Sequence, residues 1–219
     1  MNDQVFKDRS AAGKELAAAL ETIANPENAL VLGLPRGGVP VAYEVAAGLG
    51  LPLDILVVRK MGAPGQPELA MGAVGSGGVR VINERVVKSL GVREETLEKI
   101  TAEEHRRVEE KESFLREGRE GFSVAGKQVI LVDDGLATGA SMRAAAATVK
   151  ARDPKSVVVA IPVAPSEAVE QLRHEVDRVV CVTAPSAFTA VGQWYRHFDQ
   201  TSDREVQSLL RKAHHGGKE

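Results

Sequence analysis

Apolar positions along this chain follow two rhythms that take turns. Residues 6–23 carry Ala12, Leu16, Ala19, Leu20 and Ile23 at helical spacing and stop before Asn25-Pro26, which predicts a covering helix. Five short runs, 29–34, 53–58, 129–132, 157–163 and 179–182, are apolar and read as strands. The run at 129–132 has no alternation, as expected of a strand covered on both faces of a parallel sheet. Helical patterns at 39–49, 143–151 and 166–174 lie between the runs. Together they predict an α/β fold, a parallel sheet flanked by helices, with ligands at the carboxyl ends of the strands.

The interval 60–127 breaks this order. Segments 69–75 and 78–83 can pair as a hairpin across Ser76-Gly77, and residues 94–117 read as a heavily charged helix. Its apolar stripe is thin: Leu97, Ile100, Val108, Phe114 and Leu115. Such a stripe fits a solvated helix resting one edge on the core; a subunit contact in a homo-oligomer or a support for a lid fits the same pattern. The tail from His214 to Glu219 is expected to fray, and its paired histidines are too exposed and too few for a metal site.

Length and charge narrow the picture. With 219 residues the chain can bury one sizeable core, placed at 29–182, with a lid and helical insertion at 60–126 and a small C-terminal hood at 184–219 joined by the N-terminal helix. A net charge of −2 and a pI near 6.3 give no bulk attraction to nucleic acid or to an anionic membrane. Any phosphate site must then be made by local geometry, and its ligand should be small. The single cysteine, Cys181, excludes an internal disulfide and reads as a buried inert thiol. The polar start Met1-Asn-Asp-Gln and the lack of a span-length apolar stretch make the cytoplasm the expected location.

Candidate chemistry begins where the run 129–132 ends. Asp133 and Asp134 come first, then Gly135, Thr138, Gly139, Ala140 and Ser141, whose small side chains allow a turn with several backbone N–H groups pointing inward, then an Ala-rich helix. A nest of N–H groups at a helix N-terminus binds phosphate. Two carboxylates beside it would repel a bare phosphate, so the ligand should also offer hydroxyls or a divalent cation. A sugar phosphate with bound metal meets both conditions.

The stretch Val-Asp-Asp-Gly-Leu-Ala-Thr-Gly-Ala-Ser resembles the signature of type I phosphoribosyltransferases, which bind 5-phosphoribosyl-1-pyrophosphate (PRPP). The resemblance implies that Asp133 and Asp134 meet the ribose hydroxyls. It implies equally that the turn of Gly135, Ala137, Thr138, Gly139, Ala140 and Ser141 holds the 5′-phosphate. Leu-Gly-Leu-Pro-Arg-Gly-Gly-Val-Pro at 32–40 resembles the pyrophosphate loop of the same family: Pro35, Gly37 and Gly38 would let backbone approach the anion while Arg36 supplies a forked donor. Val-Val-Arg-Lys-Met-Gly-Ala-Pro at 57–64 is similar to the start of the mobile loop in adenine-type members. That makes Arg59 and Lys60 candidates for the pyrophosphate, with Gly62, Pro64, Gly65 and Pro67 suiting a loop that opens and closes. Neither a Walker P-loop nor a dinucleotide fingerprint is present.

The same resemblance implies Mg²⁺ held largely by the ligand and water, with Asp133 and Asp134 as the protein's nearest carboxylates. Ala137 stands where hypoxanthine-type members place an aspartate, so a proton acceptor must come from elsewhere. Glu68 is the nearest carboxylate to the Arg59-Lys60 loop, and the simpler reading of it is a solvent-facing side chain. For the acceptor pocket, residues 184–198 hold half of the chain's Phe, Trp and Tyr. Phe188 and then Trp194 are the candidates for stacking on a base, with a satellite core under the hood as the rival, which Tyr195 and Phe198 fit well.

The expected activity is transfer of ribose 5-phosphate from PRPP to a nitrogenous small molecule, a nucleobase above all, with pyrophosphate released. The partners are PRPP and that acceptor, with no nucleic acid or membrane. A PRPP-sensing protein without turnover and a pentose phosphate hydrolase are the alternatives.

Overall fold

The computed structural model describes residues 5–216, apart from the side chains of Glu68 and His215. Five strands make a parallel sheet in the order β2-β1-β6-β7-β8: β1 (Ala29–Gly33), β2 (Leu53–Ile55), β6 (Gln128–Val132), β7 (Ser156–Val163) and β8 (Arg178–Thr183). Val31, Ile130, Val132 and Val158 point into one hydrophobic cluster. Leu30, Leu32, Val129, Leu131, Val157 and Val159 point into another on the opposite face. Burial on both faces is why these runs show no alternation. Helices α1 (Arg9–Leu20), α2 (Gly38–Leu49), α5 (Ala140–Lys150), α6 (Ser166–Arg173) and α7 (Asp203–Gly216) complete the layers. Asp8 caps α1, its Oδ1 accepting from the Ala11 amide at 2.8 Å. Cys181 is half-buried, donates its Sγ–H to the Thr183 carbonyl, and is pushed up to about 11 by burial, as befits an unreactive thiol.

Three sequence expectations change. The run 53–58 is not one strand: after Ile55 the chain leaves the main sheet, and the Val57 amide pairs with Ser76 Oγ at 3.0 Å. It enters a three-stranded antiparallel sheet, β3 (Val58–Ala63), β4 (Gln66–Gly75) and β5 (Val79–Ile82). The segment expected as an irregular mobile loop is therefore the β3–β4 hairpin, turning at Pro64-Gly65, while the β4–β5 hairpin across Ser76-Gly77 stands as expected. The tail is helical in α7 through Gly216, and His214 stacks on Phe122 with centroids 5.4 Å apart; residues 217–219 lie outside the described residues.

Helices α3 (Glu84–Ser89) and α4 (Glu94–Arg116) fill the insertion. Leu97, Thr101, Val108, Glu112 and Leu115 of α4 are buried, while Phe114, expected in that stripe, is exposed. The end of α4 is tied to the main sheet by buried Asp54, which accepts from Arg116 Nε at 2.8 Å and from the amides of Ile55 and Phe122. Arg116 also meets Glu112 at 3.0 Å. Among the described residues, no helix is long and apolar enough to cross a membrane.

Candidate active site

Strands β1 and β6 are neighbours with Gly33 opposite Val132, so the loops that follow them leave the sheet side by side. The Leu34 amide donates to the Val132 carbonyl at 2.9 Å, which extends the pairing into the first loop. The Pro35–Arg36 peptide is cis. The contact beyond is closer than any side chain would allow. A Cβ on Gly37 would sit 2.1 Å from Asp134 Oδ2, and one on Gly38 would sit 2.7 Å from the Val132 carbonyl and 2.8 Å from Asp133 Cα. Both glycines are required by this approach of backbone to carboxylates.

The second loop runs from Gly135 to the start of α5. Gly135 and Leu136 are buried, whereas Ala137, Thr138 and Ser141 are exposed at its rim. Gly139 is left-handed, with φ of 72°, which lets the chain turn into α5 at Ala140. Thr138 Oγ1 accepts from the Ala140 amide at 3.4 Å. The amides of Ala137, Thr138 and Gly139 have no acceptor among the described residues, so they have donors to offer.

The two carboxylates have different surroundings. Asp133 lines a cleft of about 640 Å³ with Leu34, Pro35, Arg59 and Ser141. Asp134 faces away from it and is held by Arg9, the first residue of α1, whose Nε and Nη2 lie 2.9 and 2.8 Å from its Oδ2. Arg9 also donates to the Asp199 carbonyl and lies 3.9 Å over the Phe198 ring. The Tyr195 hydroxyl, pushed up by burial and by Asp134, stays neutral and donates to the Asp134 carbonyl at 2.5 Å. Phe6 pairs its backbone with Trp194 and Arg196, so the N-terminus and the segment after β8 meet behind the acidic pair. Sequence reading missed Arg9, because no local pattern links it to a residue 125 positions away; it placed Tyr195 in the satellite core under the hood, without its bond to Asp134, 61 positions away.

Burial raises the Asp133 carboxyl well above its ordinary 3.8, helped by the charge of Asp134 and opposed by the Asp134 amide and by Arg9. Burial raises Asp134 as well, against the pull of Arg9. A carboxyl with a raised folded-state pKa binds more protons folded than unfolded. Its stabilising contribution is complete below the ordinary value and is lost as pH rises through the raised one. Protein free of metal and ligand should therefore gain stability on acidification from neutral toward about pH 4, and Asp133→Asn should flatten that rise. Urea midpoints across this range, with chelator present, check the prediction. Identical slopes in the two proteins would contradict it.

The remaining candidates are distributed unevenly. Arg36 is exposed at the tip of the first loop. Arg59 lines the cleft and pairs with Glu104 of α4, whereas Lys60, next along β3, lines a separate cavity with Arg85, Arg143 and Glu175. The pleat of a strand sends adjacent side chains to opposite faces, so the cleft receives one of the two cations. Phe188 and Trp194 stack on each other, with centroids 6.4 Å apart, and Trp194 is buried in a cluster with Phe6, Ala12, Val163 and Tyr195. Neither ring lines the cleft. Glu68 falls in β4, with its side chain outside those described. The cleft's far wall is made by Arg107, Glu110, Lys111 and Phe114 of α4, residues for which the sequence suggested no role at the site. Their i, i+3, i+4, i+7 spacing was a readable signal.

Comparison with known proteins agrees with this geometry. The family model described as "Phosphoribosyl transferase domain" matches residues 3–196. The crystal structure of TT1426 from Thermus thermophilus is 44% identical, with a TM-score of 0.87, covering 95% of this chain and 99% of that one. A protein of Mycobacterium tuberculosis strain H37Rv, provisionally named as a phosphoribosyl transferase, is 44% identical over 211 residues, which is 96% of this chain and 47% of its own length. The chain thus spans about half the length of the curated relatives it matches. AQ2163 of Aquifex aeolicus, at 12% identity and a TM-score of 0.51 over 84% of this chain and 78% of that one, shares the fold. With two glycine-bearing loops meeting over an acidic pair at adjacent strand ends, and a domain model matching from residue 3 to residue 196, this chain belongs to the phosphoribosyl transferase domain family.

Proposed function

We propose that the protein transfers ribose 5-phosphate from PRPP to a nitrogen of a small planar acceptor, a nucleobase, with release of pyrophosphate. The observation that carries this reading is the contact of Gly37 and Gly38 with the Asp133-Asp134 pair, beside a cleft lined by Pro35, Asp133 and Ser141. In this reading Asp133 takes the ribose hydroxyls, while Asp134, held by Arg9, fixes the backbone from behind. The amides and hydroxyls from Ala137 to Ser141 hold the 5′-phosphate. The backbone from Pro35 to Gly38, with Arg36 and Arg59, holds the pyrophosphate. The α4 wall and the β3–β4 hairpin shield a cation-like ribose from water.

The donor set fits a magnesium ion bound chiefly through its ligand. Among the described residues no group of three or more His, Cys, Asp or Glu could cage a metal, and Asp133 is the carboxylate that faces the cleft. When bound, Mg²⁺ supplies charge neutralisation on the departing pyrophosphate.

Purified protein with PRPP and Mg²⁺, offered purines, pyrimidines and small amines, tests the proposal. Pyrophosphate should appear only with an acceptor and in equal amount to the ribosylated product. PRPP binding with no release under any acceptor would favour a sensor, and ribose 5-phosphate formed with water alone would favour a hydrolase.

A further inference from the structure

The cleft that holds Asp133 has a wall to which the ribose and phosphate roles give no task. Arg107, Glu110, Lys111 and Phe114 line it from one face of α4. The adjoining face, including Val108 and Leu115, packs the helix on the core. The Phe114 ring is therefore not part of the packing that holds α4 on the core. Phe114 is 54% exposed, the most of the large hydrophobic side chains among the described residues. It is also well anchored. Its carbonyl accepts from Gln207 of α7 at 2.8 Å, and Lys111, one turn earlier, reaches Asp203 at 2.7 Å with its ammonium 6.0 Å from the ring. An exposed aromatic on a fixed stretch of backbone in the wall of a polar cleft gains hydrophobic burial and stacking energy when a flat ligand covers it. Phe188 and Trp194 do not line this cleft, and their rings face each other.

We infer that Phe114 is the platform on which a planar heteroaromatic acceptor stacks, and that α4, the helix of the insertion, selects the acceptor. The inference rests on the PRPP reading of the cleft given above. It assigns the insertion a substrate role and makes the hood aromatics structural.

The test uses the full chain with Mg²⁺. Calorimetric titration with PRPP reports the ribose and phosphate half. Binding of adenine, hypoxanthine, guanine, uracil and orotate to the PRPP-loaded protein, together with pyrophosphate release, reports the acceptor half; ammonia and methylamine are the non-planar comparison. Phe114→Ala should raise the acceptor KM by about tenfold or more, with PRPP affinity and melting temperature unchanged because the side chain is exposed. Phe114→Trp should restore the KM, and Phe188→Ala should leave it as in the wild type. An unchanged acceptor KM in Phe114→Ala, with PRPP still bound, overturns the inference and leaves the transferase reading intact. Wild-type protein that binds PRPP but takes only the non-planar amines, or no base at all, also overturns it. Wild-type protein that fails to bind PRPP removes both.

Discussion

A methyl group at Gly38 should all but eliminate PRPP binding while the sheet remains folded. The added Cβ would meet the Val132 carbonyl at 2.7 Å and Asp133 Cα at 2.8 Å. Both are backbone atoms at the end of β6, a strand paired on both sides by β1 and β7, so they cannot retreat. The yielding part must be the first loop and the start of α2. Overpacking of this kind costs about 1–3 kcal/mol, and misplacing a ligand-gripping loop by a fraction of an ångström costs on the order of a hundredfold in binding or rate. Calorimetry of Gly38→Ala with PRPP and Mg²⁺, beside a thermal melt, separates loss of grip from loss of fold. Wild-type affinity in this variant would show that the loop contact has no part in ligand binding.

The largest stability effect should come from Arg9→Met. The side chains of Arg9 and Asp134 are only 12% and 15% exposed, and the pair lies beside a second carboxylate, Asp133. Removing one partner of a buried pair leaves an uncompensated charge, at a cost of about 3–5 kcal/mol. The loss should shrink on acidification as the carboxyl, already raised by burial, takes up a proton. Arg9→Met combined with Asp134→Asn should recover much of it, because the double variant buries no charge. Urea denaturation at pH 7 and pH 5 provides the measurement. A single variant within about 1 kcal/mol of wild type at pH 7 would place this ion pair among surface bridges of little consequence.

The parts of the molecule legible in the sequence are those governed by local rules. Strands β1, β6 and β7 announced themselves because burial on both faces demands unbroken apolar runs, and the edge strand β8 because its run packs partly against both clusters. The second loop was visible because a strand end, paired acids and small residues stood in consecutive order. The break at Leu56-Val57 was not visible, since an apolar run looks the same whether it stays in one sheet or passes to another. Lys60 was grouped with Arg59 because the stretch resembles the mobile loop of adenine-type members, and the strand pleat places the two side chains in different cavities. Arg9, and the bond from Tyr195 to Asp134, were invisible for a different reason: their partners lie in distant elements, and only tertiary packing brings them together. Phe114 was placed in the buried stripe by its spacing, yet Leu115 and Val108 complete that stripe without it.

Division of labour within α4 bears on how acceptor preference can change. Its Val108 and Leu115 are buried, its carboxyl end is tied through Arg116 to Asp54, and four residues look outward over the cleft. None of those four side chains is buried in the core, although Lys111 ties α4 to Asp203 of α7. Repertoires of new acceptors could therefore be sampled on a fixed donor-binding chassis, by exchanging side chains at positions 107, 110, 111 and 114 alone.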